Sequence, residues 1–126
     1  MLMAASTLAG QSLIGLPKEE VKERISLFHR EFKNDQMVVK QQFNYLKYVN
    51  GIRTRTWILY FTDDDICHIS KLVCDYSEYD KVLDDLNATC RRVGDFTWES
   101  GQEGLVSELT LSKQEYYFTV REERKK

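Results

Sequence analysis

Apolar positions along this chain keep two different periods, and the switches between them divide it into elements. From Pro17 to about Phe32, Val21, Ile25, Phe28 and Phe32 recur at steps of four and three, while Lys22, Glu23, Arg30 and Glu31 fill the opposite side. That spacing predicts an amphipathic helix. Pro17 suits its first position, and Glu19 and Glu20 suit the positive end of its dipole. From Gln36 the period drops to two. Val39, Gln41, Phe43, Tyr45, Lys47 and Val49 alternate with Val38, Lys40, Gln42, Asn44, Leu46 and Tyr48, the pattern of a long strand. Asn50-Gly51 is a type I′ hairpin signal. RTRTWILYFT predicts a second strand, Asp63-Asp64-Asp65 a turn, and Ile66 to Asp75 a third strand.

The second half follows the same order. Ser77 opens a helix, with Asp80 three residues on in the S-x-x-D capping form. Tyr79, Val82, Leu83, Leu86 and Cys90 make its apolar face, and Gly94 fits the position just past its end. Strands are predicted at Phe96 to Glu99, Leu105 to Leu111 and Tyr116 to Arg121. The expected fold is α+β: two αβββ units forming an antiparallel sheet with two helices packed on one face. The likeness of the halves lies in element order, since residue identity between them is weak. The other sheet face would stay open, a broad surface better suited to recognition than to chemistry.

Composition narrows the class. In 126 residues with 42% apolar and a single proline, a folded domain is expected rather than a disordered chain. A net charge of −2 gives no general pull toward nucleic acid. Arg121, Arg124, Lys125 and Lys126, interleaved with Glu122 and Glu123, read as a solvated tail. The opening MLMAASTLAGQS is apolar and rich in small residues, with Thr7 and Ala9 suited to the positions before a signal cleavage. It lacks a basic leader, so residues 1–14 are expected to be a signal-peptide remnant or a flexible tail, and 15–126 a single domain. The expected location is periplasmic or secreted, with the cytoplasm as the alternative. The apolar run is too short to cross a bilayer, so no integral membrane segment is expected. Gln11 stands where a lipoprotein would need cysteine, so a lipid anchor is not supported.

Gly15-Leu16-Pro17-Lys18-Glu19-Glu20-Val21 resembles the G-x-[ST/P]-[KR]-x-E-V opening of the first helix in β-lactamase-inhibitor-protein-like repeats and related small lipoproteins of outer-membrane assembly. The stretch from Phe28 to Asp35 departs from that pattern, lacking the small-Gly-x-Pro ending. Over roughly Gly15 to Arg121, the phrases YLKYVNG, WILYFTDDDICHISKLVCDYS and YYFTV resemble small uncharacterised secreted α+β proteins of gut bacteria. That resemblance implies export and an α+β fold, and no site residue.

Reactive side chains gather in FTDDDICHISKLVCDYS, Phe61 to Ser77. The aspartates lack the alternation, glycine and distal glutamate of a calcium loop and read as turn residues. On an ideal strand His68 and Cys74 share a face with Ile66, Ser70 and Leu72, but stand about 20 Å apart. Cys67 falls on the other face with Ile69 and Val73. Cys67, Cys74 and Cys90 show no metal-site spacing; they read as buried filler, with a Cys74–Cys90 disulfide as an open alternative. No phosphate loop, nucleophile elbow or HExxH occurs, so no metal, cofactor or catalytic residue is expected. Asp84-Asp85 and Glu122-Glu123 read as solvated charge.

Aromatics are the best functional signal. Two helices cannot cover all of those on the strands, which makes Tyr45, Trp57, Tyr60, Trp98 and Tyr117 candidates for an exposed binding surface. The leading expectation is a non-catalytic exported protein that binds a protein, peptide or envelope component through its open sheet face. The second is a small-ligand or carbohydrate module built on the strand aromatics. The third is an enzyme using His68 or His29.

Overall fold

The computed structural model describes residues 12–34, 44–101 and 106–125. Helix α1 spans Lys18–Phe28 and is followed by β1 (Phe32–Asn34), β2 (Tyr45–Asn50), β3 (Arg55–Phe61) and β4 (Cys67–Asp75). A 3-10 turn at Tyr76–Glu78 leads into α2 (Tyr79–Thr89), then β5 (Arg91–Arg92), β6 (Thr97–Ser100), β7 (Ser107–Lys113) and β8 (Tyr117–Arg124). The strands form one antiparallel sheet in the order β1-β2-β3-β4-β8-β7-β6-β5, with β4 and β8 at its centre. This is the α+β class expected. Each half carries four strands rather than three, because Phe32–Asn34 and Arg91–Arg92 add a short strand at either edge. The start of the long predicted strand falls at 35–43, outside the described residues, as does the expected tail over 1–11.

Cross-strand pairing fixes which side chains share a face. Leu46, Leu59, Ser70, Glu122, Leu109 and Trp98 follow one another directly across β2, β3, β4, β8, β7 and β6. All therefore point to one side, and both helices cover that side. Val21 and Ile25 of α1 are buried with Leu46, Leu59, Phe61 and Cys67, while Val82 and Leu86 of α2 are buried with Trp98, Leu109, Phe118 and Val120. Leu72 packs against both clusters. Full burial of a side chain such as Ile25 contributes about 1.5–3 kcal/mol.

Several boundaries differ from expectation for identifiable reasons. Helix α1 ends at Phe28, which is exposed, and Phe32 enters the core as a strand residue instead of a fourth helical step. Pro17 is the N-cap, in extended conformation, and bridges Ile66. The N–H of Lys18 is satisfied by the Asp65 carbonyl at 2.8 Å. Leu13 and Ile14, at the end of the expected tail over 1–14, are buried in the first cluster. Gly15 has φ +92°, and a Cβ there would meet Arg124 Nη2 at 2.6 Å. Helix α2 starts after the 3-10 turn without a side-chain cap, and it is Asp75 that accepts from the Ser77 N–H. It ends at Thr89, so Gly94 serves the turn between β5 and β6, donating to the Thr97 carbonyl. Of the expected solvated tail, Arg121 to Arg124 is instead the second half of β8, and Lys126 lies outside the described residues.

The β2–β3 connection is also not the expected type I′ turn. Gly51 lacks positive φ, which falls on Arg53 at +58°. The turn is closed by the side chain of buried Asn50, whose Oδ1 accepts from the N–H groups of Thr54 and Arg55 at 2.9 Å each. Its Nδ2 donates to Thr54 Oγ1 at 3.0 Å. We expect Asn50→Ala to lose about 1–3 kcal/mol in urea unfolding, the cost of leaving buried donors unpaired. Gly51→Ala, with open space around the new methyl, should change stability by less than about 0.5 kcal/mol. A large loss from Gly51→Ala with little from Asn50→Ala would restore the type I′ reading.

Candidate functional site

Between the ground covered by α1 and that covered by α2, the helix-bearing face of the sheet holds a partly open cleft of about 230 Å³. The chain leaving α1 supplies His29, Glu31 and Phe32 to one wall; Val82, Asp85, Leu86 and Cys90 of α2 and its C-cap supply the other. The floor is Trp57 of β3, Ser70 and Leu72 of β4, Val120 and Glu122 of β8, and Leu109 of β7. The aromatic rings are held in place. His29 meets Trp57 edge-on with ring centroids 5.0 Å apart, Phe32 lies 5.3 Å from the same indole, and Trp57 Nε1–H donates to Ser70 Oγ at 2.8 Å.

Glu122 is the unusual member of the floor. Its Oε2 is buried and has no hydrogen-bond partner among the described residues. Burial pushes the carboxyl above the usual range, while the hydroxyls of Ser12 and Ser107 and the charge of Arg124 act in the opposite direction. Arg124 donates through Nη2 to the Ile14 carbonyl at 3.2 Å, and its buried Nε also lacks a partner among the described residues. His29 is held below its usual value by burial, against the opposing charge of Glu31. Arg55, the basic residue of the lining, is committed elsewhere: its Nε and Nη2 donate to Glu78 Oε1 at 2.9 and 2.7 Å.

The expected site residues are dispersed by this arrangement. Trp98 is fully buried, with its Nε1–H donating to Asn87 Oδ1 at 2.9 Å, so it is no surface anchor. Trp57 belongs to the helix face, because the phase of β3 sends Trp57, Leu59 and Phe61 inward and Thr56, Ile58 and Tyr60 outward. Tyr45 and Tyr60 do share the open face, half-buried, with centroids 6.2 Å apart. Tyr117 lies on that face too, beside a polar groove that includes Lys71, Thr119, Arg121 and Glu123. Tyr45, Tyr60 and Tyr117 therefore form no common pocket with the tryptophans.

His68 stands on a bulge. Tyr60 pairs with Ile69 and Phe61 with Cys67, so the register slips by one residue and leaves His68 exposed. The same slip turns Cys67 to the core face, with Ser70 and Cys74, rather than to the face expected from strict alternation. All three cysteines are free, and Cys74 and Cys90 are not bridged. The aspartate run forms the expected turn, with Asp65 at φ +61° and its carboxylate accepting from Asn44 Nδ2 at 2.6 Å. Among the described residues, no group of three or more His, Cys, Asp or Glu could hold a metal ion. No helix among them is long and apolar enough to cross a membrane.

The charged run at Glu122-Glu123 hides the place of Glu122 in the floor. The signal was nevertheless present: continuing the strand alternation gives Phe118, Val120, Glu122 and Arg124 on one face.

Fold and site thus define a class, an α+β protein with a helix-flanked cleft on a single antiparallel sheet. No family model, no curated protein and no solved structure matches the chain, so the site is read from its own chemistry.

Burial, with smaller electrostatic effects, pushes both the Cys67 and the Cys74 thiol up to about 12. At pH 8 only about one in ten thousand of either would be thiolate. Cys90, partly exposed on the cleft wall, should react with a disulfide reagent in the native protein. Cys67 and Cys74 should react only as the chain unfolds. Three thiols reacting at one rate in native buffer would contradict this placement.

Proposed function

We propose that the chain is a non-catalytic binding protein that holds a small, partly apolar ligand in the cleft between its helices. One observation carries the reading: a concave, aromatic-walled space whose floor contains a buried carboxyl oxygen without a donor. An unpaired buried acceptor costs stability, and a ligand that supplies the donor recovers that cost on binding. Small-molecule sites have this general composition, apolar walls with a few placed polar groups.

The open face supports recognition less well. Its centre is charged: Lys71 lies directly across from Arg121, and Glu108 lies directly across from both Glu123 and Glu99. Like charges so placed repel. They are offset by neighbours, Arg121 with Glu123 at 3.4 Å and Glu99 with both Lys125 and Arg91. Its aromatic residues, Tyr45 and Tyr60 on one half and Tyr117 on the other, are spread apart rather than gathered into an apolar patch. Catalysis is supported less again. No described hydrogen bond joins His29 to Cys90; the Cys90 thiol instead neighbours Thr89 Oγ1 at 3.6 Å. Export, expected from MLMAASTLAGQS, belongs to the proposal on sequence grounds alone.

Amide and methyl NMR of the labelled protein against a library of small aromatic fragments tests the reading. Binders should move the Trp57 indole N–H and the methyls of Leu72, Leu86 and Val120 together. Shifts confined to Tyr45, Tyr60 and Tyr117 would return recognition to the open face, and no shifts at all would count against a ligand-binding cleft.

A further inference from the structure

Resting on the cleft reading, we infer that the ligand is a small organic cation, an amine on an apolar or aromatic body, whose ammonium donates to Glu122 Oε2. The deciding feature is the mismatch between what the cleft offers and what it lacks. Its floor presents an acceptor without a donor, and an ammonium brings up to three donors and no acceptor that would itself need a partner. A hydroxyl would bring both.

Charge points the same way. The lining adds Glu31 and Asp85 to Glu122, and its basic member, Arg55, is neutralised by Glu78. Burial disfavours the charged form of His29, so the imidazole adds no opposing cation. The hydroxyls of Ser12 and Ser107 already act on the carboxyl, and the competing cation among the described residues is Arg124. It lies two residues from Glu122 on the same face of β8, but its described hydrogen bond goes to Ile14. Trp57 and Phe32 both line the cleft, and aromatic rings attract a cation as well as an apolar body. Size is also bounded. An apolar cavity of about 150 Å³ accepts a benzene ring, so about 230 Å³ suits a ring with a short aminoalkyl arm.

The test uses the intact chain and three matched probes, 2-phenylethylamine, 2-phenylethanol and phenylacetate, titrated by calorimetry with NMR mapping of the cleft methyls. The amine should bind about tenfold or more tighter than the alcohol, the scale of a charge-assisted hydrogen bond, and phenylacetate should bind weakest. Glu122→Gln should bring the amine down to the level of the alcohol while leaving the alcohol unchanged. Its thermal midpoint should equal or exceed that of the parent, because a neutral amide is less costly to bury. If amine and alcohol bind equally, or the preference survives Glu122→Gln, the cation inference is overturned while the cleft reading stands. If none of the three moves the cleft methyls, the cleft reading fails with it. The comparison of probes on the parent chain decides the matter even where the variant does not fold.

Discussion

The structure depends on the pairing of β4 with β8. The ladder running from Ile69 with Glu123 to Asp75 with Tyr117 is the join through which two four-stranded halves become one sheet. Each half ends its run of strands at this ladder, and each brings a helix that buries its own apolar cluster. The two clusters touch the common residue Leu72 at the seam. A break in the ladder would expose apolar surface on both sides of it, so the halves are expected to stand or fall together.

The same seam creates the site. Cross-strand alternation sends Ser70 and Glu122, direct neighbours in the ladder, toward the helices, where both line the cleft. A core built only for stability would place apolar side chains there. Instead the floor holds Trp57 and a buried carboxyl with an unpaired oxygen, and one wall holds Phe32 and His29. Such a conflict between local chemistry and burial is characteristic of functional positions, where stability gives way to a specific interaction. The opposite face resolves its charges among its own side chains, as in Glu99 with Lys125 and Arg91, whose hydrogen bonds hold that carboxyl below the usual range.

Most of the fold was legible in the sequence because periodicity is a local property. The helical stripe of Val21 and Ile25, the alternation through RTRTWILYF and the face of Val82 and Leu86 each emerge within a short window. What was not legible depends on pairing. The bulge at His68 is defined by where Phe61 meets Cys67 across β3 and β4, and no spacing within β4 alone predicts it. That single slip sent Cys67 to the core and His68 to solvent, reversing both. The inward phase of Trp57 is likewise set by its neighbours Tyr48 and Leu72. Asn50-Gly51 carried the right location for a turn but the wrong mechanism, because a side chain closes the loop. Glu122 was hidden by composition: a charged run suggests a tail, and only the alternation from Phe118 onward argues for a strand.

The central claim is that Glu122 is a buried carboxyl with one unpaired oxygen among the described residues at the seam, and its titration tests that burial most directly. Burial raises its value in the folded chain above that of the unfolded one, near 4.5. Its contribution to stability is therefore fully present below that unfolded value and is lost as pH rises through the folded one. Selective ¹³C labelling of glutamate carboxyls, with Glu122→Gln to assign the resonance, should give a midpoint clearly above those of the exposed glutamates. A Glu122 resonance that titrates with the exposed glutamates, or below them, would contradict the account.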